Sequence, residues 1–161
     1  MQIKAAILVV SDRISKGLEK DRSGSAAAEL VSQATDVAEI RVVPDDANRI
    51  AQVLREWCAD GMDLILTIGG TGFGPRDVTP EATRSVIERE APGISGGLLV
   101  HGLECGPHAM LSRAVAGTCG RTLIVNLPGS TSAVRESVPY LLQIVPHAVE
   151  VLAGKPEAFK P

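Results

Sequence analysis

A glycine-rich segment in the middle of the chain has the residue types needed to bind a phosphate. It reads TIGGTGFGPRDVTPEAT over residues 67–83, and Gly69, Gly70 and Gly72 lack side chains where a phosphate could approach the backbone. Free N–H groups in such a loop form an anion-binding concavity. The segment is not a Walker A loop, because no Gly-Lys-Ser/Thr ending is present, and its spacing does not fit the dinucleotide fingerprint. We therefore predict that Gly69, Gly70, Thr71 and Gly72 bind phosphate.

Two acidic residues indicate a metal at the same place. Asp77 follows the glycines and precedes a helix that we expect Thr79 to cap. Mg²⁺ takes one or two carboxylates together with phosphate oxygens and water, so Asp77 is a candidate metal ligand. Asp45 follows an expected strand and is a candidate second acid, because its neighbour Asp46 is better explained as a helix cap. The alternatives are a carboxylate that complements a helix dipole for Asp77 and an exposed turn acid for Asp45.

A third segment, residues 111–130, reads LSRAVAGTCGRTLIVNLPGS. Ser112 and Arg113 pair a hydroxyl with a guanidinium, a combination that suits phosphate. The stretch that starts at Asn126 leaves a strand and enters a helix, where backbone N–H groups could face an anion. A turn or cap role is the alternative for Ser112. The helix start supplies three further candidate ligands, Pro128, Gly129 and Ser130, and capping by Ser130 is compatible with binding.

Strands and helices alternate along the chain, which predicts an α/β fold with a mostly parallel sheet and helices on both faces. The length fits one domain over residues 1–161. Three glycines within 94–105 weaken a helix there. We expect strands at 3–10, 37–43, 63–68 and 122–126. We expect helices at 24–34 and 47–59, a third helix that starts at Thr79 and is ended by Pro92 and Gly93, and helical structure within 134–152.

The topology gives these polar segments a common location. Ligands of parallel sheets bind beyond the carboxyl ends of the strands. Four strands are followed by polar or glycine-rich residues at 11–13, 44–46, 69–72 and 127–130. Ordinary turn chemistry explains any one of these segments, whereas all four together favour a shared anion site. Ser11 and Asp12 join the candidate phosphate-binding residues on this basis.

Composition excludes several classes of function. Aromatic residues make up 2% of the chain and the net charge is -3, so we expect no nucleic-acid partner. No apolar stretch approaches the ~20 residues of a membrane span, and we expect no membrane association. Three cysteines without a CxxC spacing indicate a reducing cytoplasm. His101, Cys105 and His108 have spacings that could suggest a metal site, but a structural role is the better interpretation because no fourth ligand is apparent.

These segments, with Ser11-Asp12-Arg13, Gly17, Asp21 and Ser23-Gly24, resemble the molybdopterin adenylyltransferase family of MogA/MoaB type. The resemblance covers nearly the whole chain. The GGTG…RDVTPEAT block is shared with molybdopterin molybdotransferases and a competence-damage protein family. The LSR…AG and NLPGS segments narrow the resemblance to the adenylyltransferases.

The resemblance implies a three-layer α/β/α fold, a homotrimer or hexamer, ATP as co-substrate and Mg²⁺ as metal. It implies transfer of AMP to the terminal phosphate of molybdopterin, and a hand-over of the product to a molybdenum insertase. Asp77 and Asp45 match the catalytic acids, and Ser112 matches a serine linked to molybdopterin. We name Arg113 and Asn126, which lie in the same segment as Ser112, as further pterin-binding candidates.

Two other functions remain open on the sequence. One is a non-catalytic molybdopterin-binding or carrier protein with the same fold and pocket. The other is a structural oligomerisation module, although no linker or partner domain is evident in the sequence. Release of pyrophosphate from ATP in the presence of molybdopterin separates the enzyme from both.

Overall fold

The computed structural model describes residues 2–159, which form one six-stranded sheet in the order β2-β1-β3-β6-β5-β4. The four strands β2, β1, β3 and β6 are parallel, β5 is antiparallel to β6, and β4 is antiparallel to β5. The strands are β1 Lys4–Val10, β2 Asp36–Val43, β3 Leu64–Ile68, β4 Arg89–Glu90, β5 Ala116–Cys119 and β6 Thr122–Leu127.

Helices follow most of the strands. They are α1 Asp12–Ser15, α2 Ser23–Val31, α3 Ala47–Ala59, α4 Thr79–Arg84, α5 Pro92–Leu103, α6 Thr131–Leu142 and α7 Val145–Leu152. Two 3₁₀ helices, Pro107–Leu111 and Pro156–Phe159, complete the described secondary structure. No helix within residues 2–159 has both the length and the apolar composition needed to cross a bilayer.

Two apolar layers enclose the sheet. The central strands are buried on both faces, as their continuous apolar sequences predict. Helices α2, α6 and α7 pack on one face, with Val31, Val138 and Val149 in that layer. Helices α3 and α4 pack on the other face, where Trp57 is fully buried. The predicted three-layer α/β/α architecture is therefore confirmed.

The region between α4 and β6 differs from its prediction. Pro92 and Gly93 were expected to end a helix, and this is wrong: α4 ends at Arg84 and Pro92 begins α5. A proline in the first helical turn loses no hydrogen bond, so it starts a helix as readily as it ends one. The antiparallel strands β4 and β5 have two and four residues, which is too short for a recognisable periodicity.

Candidate functional site

A cleft of about 890 Å³ lies beyond the carboxyl ends of β3 and β6. The glycine-rich loop after β3 and the loop between β6 and α6 form one part of its wall, and α5 with the first 3₁₀ helix forms another. This one cleft is lined by seven of the predicted site residues: Gly69, Gly70, Thr71, Gly72, Asp77, Ser112 and Gly129. Asn126, Pro128 and Ser130 also reach its lining.

The turn after β3 requires glycine at two successive positions. Gly69 has a φ of +100° and Gly70 a φ of +68°, in the left-handed region that other residues avoid. A Cβ on Gly69 would lie 2.4 Å from the Val10 carbonyl oxygen, and one on Gly70 would lie 2.3 Å from Thr79 Oγ1. The backbone of the loop is therefore pressed against the end of β1 and the start of α4.

Thr79 fastens this turn and does not cap α4 as predicted. Its hydroxyl donates to the Gly69 carbonyl at 2.9 Å, and its backbone N–H donates to the Gly70 carbonyl at 3.1 Å. The capping position is occupied by Val78, which makes no side-chain cap hydrogen bond. The Thr79 hydroxyl thus stabilises the glycine-rich loop, because the Gly69 carbonyl lies within hydrogen-bonding distance.

The second loop packs directly on the first. A Cβ on Gly129 would lie 3.2 Å from the Gly69 Cα, so a side chain there would push the two loops apart by a few tenths of an ångström. Ser23 of α2 donates to the Gly129 carbonyl at 2.6 Å, and the Ser130 hydroxyl accepts the Ala133 N–H at 3.2 Å. Ser130 is therefore the N-cap of α6, and the free N–H groups of the first turn lie at the cleft.

Asp77 lies against the glycine loop. Its carboxylate accepts the Gly74 N–H at 3.0 Å, and a Cβ on Gly72 would lie 3.0 Å from its Oδ2. Within residues 2–159 no three His, Cys, Asp or Glu side chains converge on a metal position. A single carboxylate is nevertheless enough for Mg²⁺ when phosphate oxygens and water supply the other ligands.

Arg113 clamps the loop from behind and does not line the cleft. Its Nε donates to the Gly72 carbonyl at 2.7 Å, and its Nη2 donates to the Asp77 carbonyl at 2.9 Å. Nη1 forms an ion pair with Glu81, which lowers the pKa of that carboxyl. The guanidinium thus already binds the carbonyls of Gly72 and Asp77 and the carboxylate of Glu81. This geometry favours a role in holding the loop over the predicted contact with phosphate or pterin.

Three charged residues form a network beside Gly70 and outside the lining of the cleft. The Asp12 carboxylate accepts the backbone N–H of Asp45 at 3.1 Å, and the Asp45 carboxylate accepts that of Asp12 at 2.9 Å. Arg76 donates to both carboxylate oxygens of Asp12 at 3.0 and 3.2 Å and lowers its pKa. Ser11 accepts the Ile14 N–H and caps α1. We predicted that Ser11 and Asp12 contact phosphate directly. This geometry does not support that contact, because both side chains bind protein groups.

Asp45 is the member of this network whose pKa is raised. Burial raises its pKa above the ordinary value, and the negative charges of Asp12 and Asp77 raise it further. A Cβ on Gly70 would lie 3.1 Å from its Oδ1, so the carboxylate lies directly behind the turn. An acid held with a raised pKa beside a glycine turn is typical of functional sites.

Asn126 is 1% exposed and its amide is fully committed inside the protein. The amide nitrogen donates to Thr67 at 2.8 Å and to Thr83 at 2.9 Å, and the amide oxygen accepts the Val115 N–H at 3.2 Å. We therefore replace its predicted pterin contact with a bracing role. The side chain ties the end of β6 to β3 and α4.

Sequence reasoning missed the wall opposite the glycine loop. Cys105, His108 and Glu136 line it, together with apolar residues of α5. His101 stacks on Tyr140 with ring centroids 4.2 Å apart and planes within 2°, which joins α5 to α6. The sequence linked Cys105 and His108 only through their spacing with His101, and it did not connect them to Glu136 because α5 was not predicted. The i to i+4 spacing of Ser132 and Glu136 on α6 is the one signal that could have indicated a shared face.

Comparison with known proteins decides the family. The model of a family described as "Probable molybdopterin binding domain" matches residues 6–147. The chain belongs to this molybdopterin-binding domain family. Its fold is of the MogA/MoaB type, because the MoaB structure of Thermus thermophilus superimposes with a TM-score of 0.90 at 46% identity, over 96% of this chain and 99% of that one.

Curated relatives of this molybdopterin-binding domain differ in length. It is 36% identical to a molybdopterin adenylyltransferase of Helicobacter pylori, over 94% of this chain and 89% of the relative. It is 40% identical to molybdenum cofactor biosynthesis protein B of Staphylococcus carnosus, over 88% and 85%. It is 39% identical to gephyrin of Dictyostelium discoideum over 96% of this chain. The chain spans only 23% of that gephyrin.

The arginine clamp of the molybdopterin-binding domain predicts a cost for Arg113→Lys. Lysine keeps the charge but cannot donate to both carbonyls and Glu81 in the same plane. We expect the free energy of unfolding to fall by about 1–3 kcal/mol in urea denaturation. The exposed control Arg121→Lys should change it by less than about 0.5 kcal/mol. Equal losses in both variants would mean that the clamp does not stabilise the loop.

The raised pKa of Asp45 predicts a pH-dependent gain in stability for Asp45→Asn. The folded state disfavours the ionised carboxyl, so this cost is present above the folded pKa and disappears as the pH falls below the ordinary value of 3.8. We expect the variant to be more stable than the wild type at about pH 7, with the gain shrinking on acidification. Thermal unfolding across this range tests it, with Asp60→Asn as the exposed control, and a pH-independent difference would contradict it.

Proposed function

We propose that this protein is a molybdopterin adenylyltransferase, which transfers AMP from Mg-ATP to the terminal phosphate of molybdopterin and releases pyrophosphate. The observation that carries the proposal is the shared cleft of Gly70, Asp77 and Gly129, where two anion-binding backbone segments and one carboxylate converge. The Helicobacter pylori relative named for this reaction supports it. The volume of the cleft lies at the upper end of the range of about 300–1,000 Å³ for ligand pockets.

The reaction brings two anions together. A terminal phosphate oxygen of molybdopterin attacks the α-phosphorus of ATP, a new P–O bond forms, and the bond to the bridging oxygen of pyrophosphate breaks. No covalent enzyme intermediate is needed, so the tasks of the protein are alignment and stabilisation of negative charge. The backbone N–H groups of residues 70–72 and of the first turn of α6 are suited to both tasks.

The charge of the cleft favours a metal-dependent reaction. Among the described residues, no lysine or arginine side chain lines the cleft, and Arg76 and Arg113 already bind protein groups. Neutralisation of the phosphates therefore requires a cation from solution. Asp77 is the residue that would hold Mg²⁺, which when bound neutralises phosphate charge. Ser112 would donate its hydroxyl to the phosphate of molybdopterin.

Asp45 would act through the loop and not on the substrates. It lies behind Gly70 and exchanges hydrogen bonds with Asp12, so it would fix the turn that presents the N–H groups. This role differs from that of Asp77, whose carboxylate lines the cleft. Substitutions at the two acids would then affect phosphate binding and metal binding respectively.

We also propose a homotrimer, built through α5. This helix of twelve residues has no buried residue and no Asp, Glu, Lys or Arg. On α5, Val100 is 64% exposed and Leu103 is also exposed, and on the neighbouring first 3₁₀ helix Met110 is 64% exposed. A helix that is apolar on all sides is normally covered, so a second copy of the chain is the fitting partner. A cytoplasmic location and hand-over of the product to a molybdenum insertase complete the proposal.

Replacement of Asp77 by Asn tests the metal role. The amide keeps the shape and can still accept the Gly74 N–H, but it is a poor ligand for Mg²⁺. We expect the rate of pyrophosphate release from Mg-ATP and molybdopterin to fall by about 100- to 1,000-fold. The exposed control Asp36→Asn should keep the wild-type rate. Wild-type turnover in Asp77→Asn would exclude the metal role, and molybdopterin binding by the wild type without any pyrophosphate release would favour the carrier.

Replacement of Val100 by Glu tests the trimer. A buried charge at a subunit contact costs several kcal/mol unless it is paired, so we expect the mass measured by light scattering to fall from that of three chains to that of one. The control Leu18→Glu lies at a residue that is 67% exposed outside this patch, and it should leave the mass unchanged. A Val100→Glu protein that keeps the wild-type mass would show that α5 is not the interface.

A further inference from the structure

The cleft has two chemically different ends. At one end, the glycine loop, Asp77 and the N-terminus of α6 offer N–H groups and a carboxylate. The other end lies between α5, the first 3₁₀ helix and the second turn of α6. Its wall is mainly apolar and includes Leu98, Leu99 and Ala109. A ligand with a negatively charged group and a flat ring system therefore fits this cleft. Its negative charge would lie at the end with the N–H groups, and its rings would lie at the apolar end.

Glu136 is the carboxylate at the apolar end. It lies six residues after the cap Ser130, which places it about 9 Å along the axis of α6. Among the described lining residues, the only other carboxylate is Asp77. Within residues 2–159, Glu136 forms no salt bridge and accepts no hydrogen bond from a nitrogen or hydroxyl donor. Its acceptor oxygens are thus available to a ligand.

The thiol of Cys105 lies beside Glu136. Desolvation raises the pKa of the Cys105 thiol, and the negative charge of Glu136 and a hydrogen bond to it raise this pKa further. The protonated thiol is a weak donor, so the carboxylate keeps most of its acceptor capacity. The stacked rings of His101 and Tyr140 join α5 to α6 one turn further along, which fixes the width of this end of the cleft.

We propose that Glu136 recognises the 2-amino-4-oxopyrimidine edge of the pterin ring and selects pterin over adenine at this end of the cleft. That edge presents two adjacent N–H donors, from the ring N3 and the 2-amino group, which match the two oxygens of a carboxylate. The corresponding edge of adenine pairs one amino donor with a ring-nitrogen acceptor, whose lone pair would face the carboxylate. Glu136 is solvent-exposed in the free protein, so its preference comes from the two hydrogen bonds that pterin offers and adenine does not.

This assignment rests on the proposed function, because it takes molybdopterin as the substrate. It orients that substrate with the pterin at the apolar end and the terminal phosphate towards the glycine loop, where Asp77 and the α6 N–H groups lie. The adenine of ATP then occupies another part of the cleft. Glu136 is therefore a specificity-determining residue that contacts the substrate without taking part in the transfer.

The test uses the full chain carrying Glu136→Gln. Glutamine keeps the shape but offers one acceptor in place of two. We expect the dissociation constant for molybdopterin to rise by at least about tenfold, whereas that for Mg-ATP changes by less than about twofold. The control Glu29→Gln makes the same charge change at an exposed residue of α2 and should alter neither constant.

Ring specificity gives a second readout that does not depend on turnover. Lumazine carries a carbonyl where pterin carries the 2-amino group, so competition against molybdopterin should show that the wild type prefers pterin and that Glu136→Gln loses this preference. This preference is a ratio of two affinities, so a partly unfolded fraction of the variant does not change it. A preference retained in Glu136→Gln, or a selective loss of Mg-ATP binding, would overturn the assignment.

Guanine shares the same edge, so GMP is a further competitor. We expect pterin to compete better than GMP, and stronger competition by GMP would assign the site to a guanine nucleotide and overturn the pterin assignment. Failure of the proposed function has a different signature. The wild type would then release no pyrophosphate, although the pterin preference and its dependence on Glu136 would still be measurable.

Discussion

The close contact between the turn after β3 and the end of β1 is the constraint on which the rest of the site depends. Gly69 and Gly70 adopt positive φ angles so that the chain can turn where no Cβ would fit. Gly129 then packs on Gly69 and brings the start of α6 to the same place. Two sets of backbone N–H groups therefore face one cleft only because three glycines let two loops touch.

The side chains around this contact stabilise the loops, and in the proposed function they leave the phosphates to the backbone. Arg113 and Thr79 satisfy carbonyls of the glycine loop, and Asn126 ties the underlying strands together. In the proposed function, Arg113 therefore holds the glycine-rich loop and does not contact the phosphates. A cleft built in this way has little positive charge of its own, which explains why the proposed chemistry depends on a metal ion at Asp77.

Helix α5 has two surfaces with different roles. One side forms the apolar end of the cleft, and the other exposes Val100 and Leu103. Its glycines reduce helix stability by about 1 kcal/mol each relative to alanine, so packing of both sides matters more here than intrinsic propensity. Assembly through the outer side would therefore also stabilise the wall that Glu136 faces.

The sequence by itself determined the layers, the central parallel strands and the gathering of residues 69–72, 77 and 128–130 at one edge. These features follow from apolar runs and from the rule that parallel strands end on the same side. Only the tertiary structure decided that Arg113 and Asn126 bind protein groups and that Glu136 lines the cleft. Side-chain direction depends on which neighbouring carbonyls and hydroxyls lie within hydrogen-bonding distance, and residues such as Arg113 and Gly72 meet only after β3, α4 and β6 have packed together.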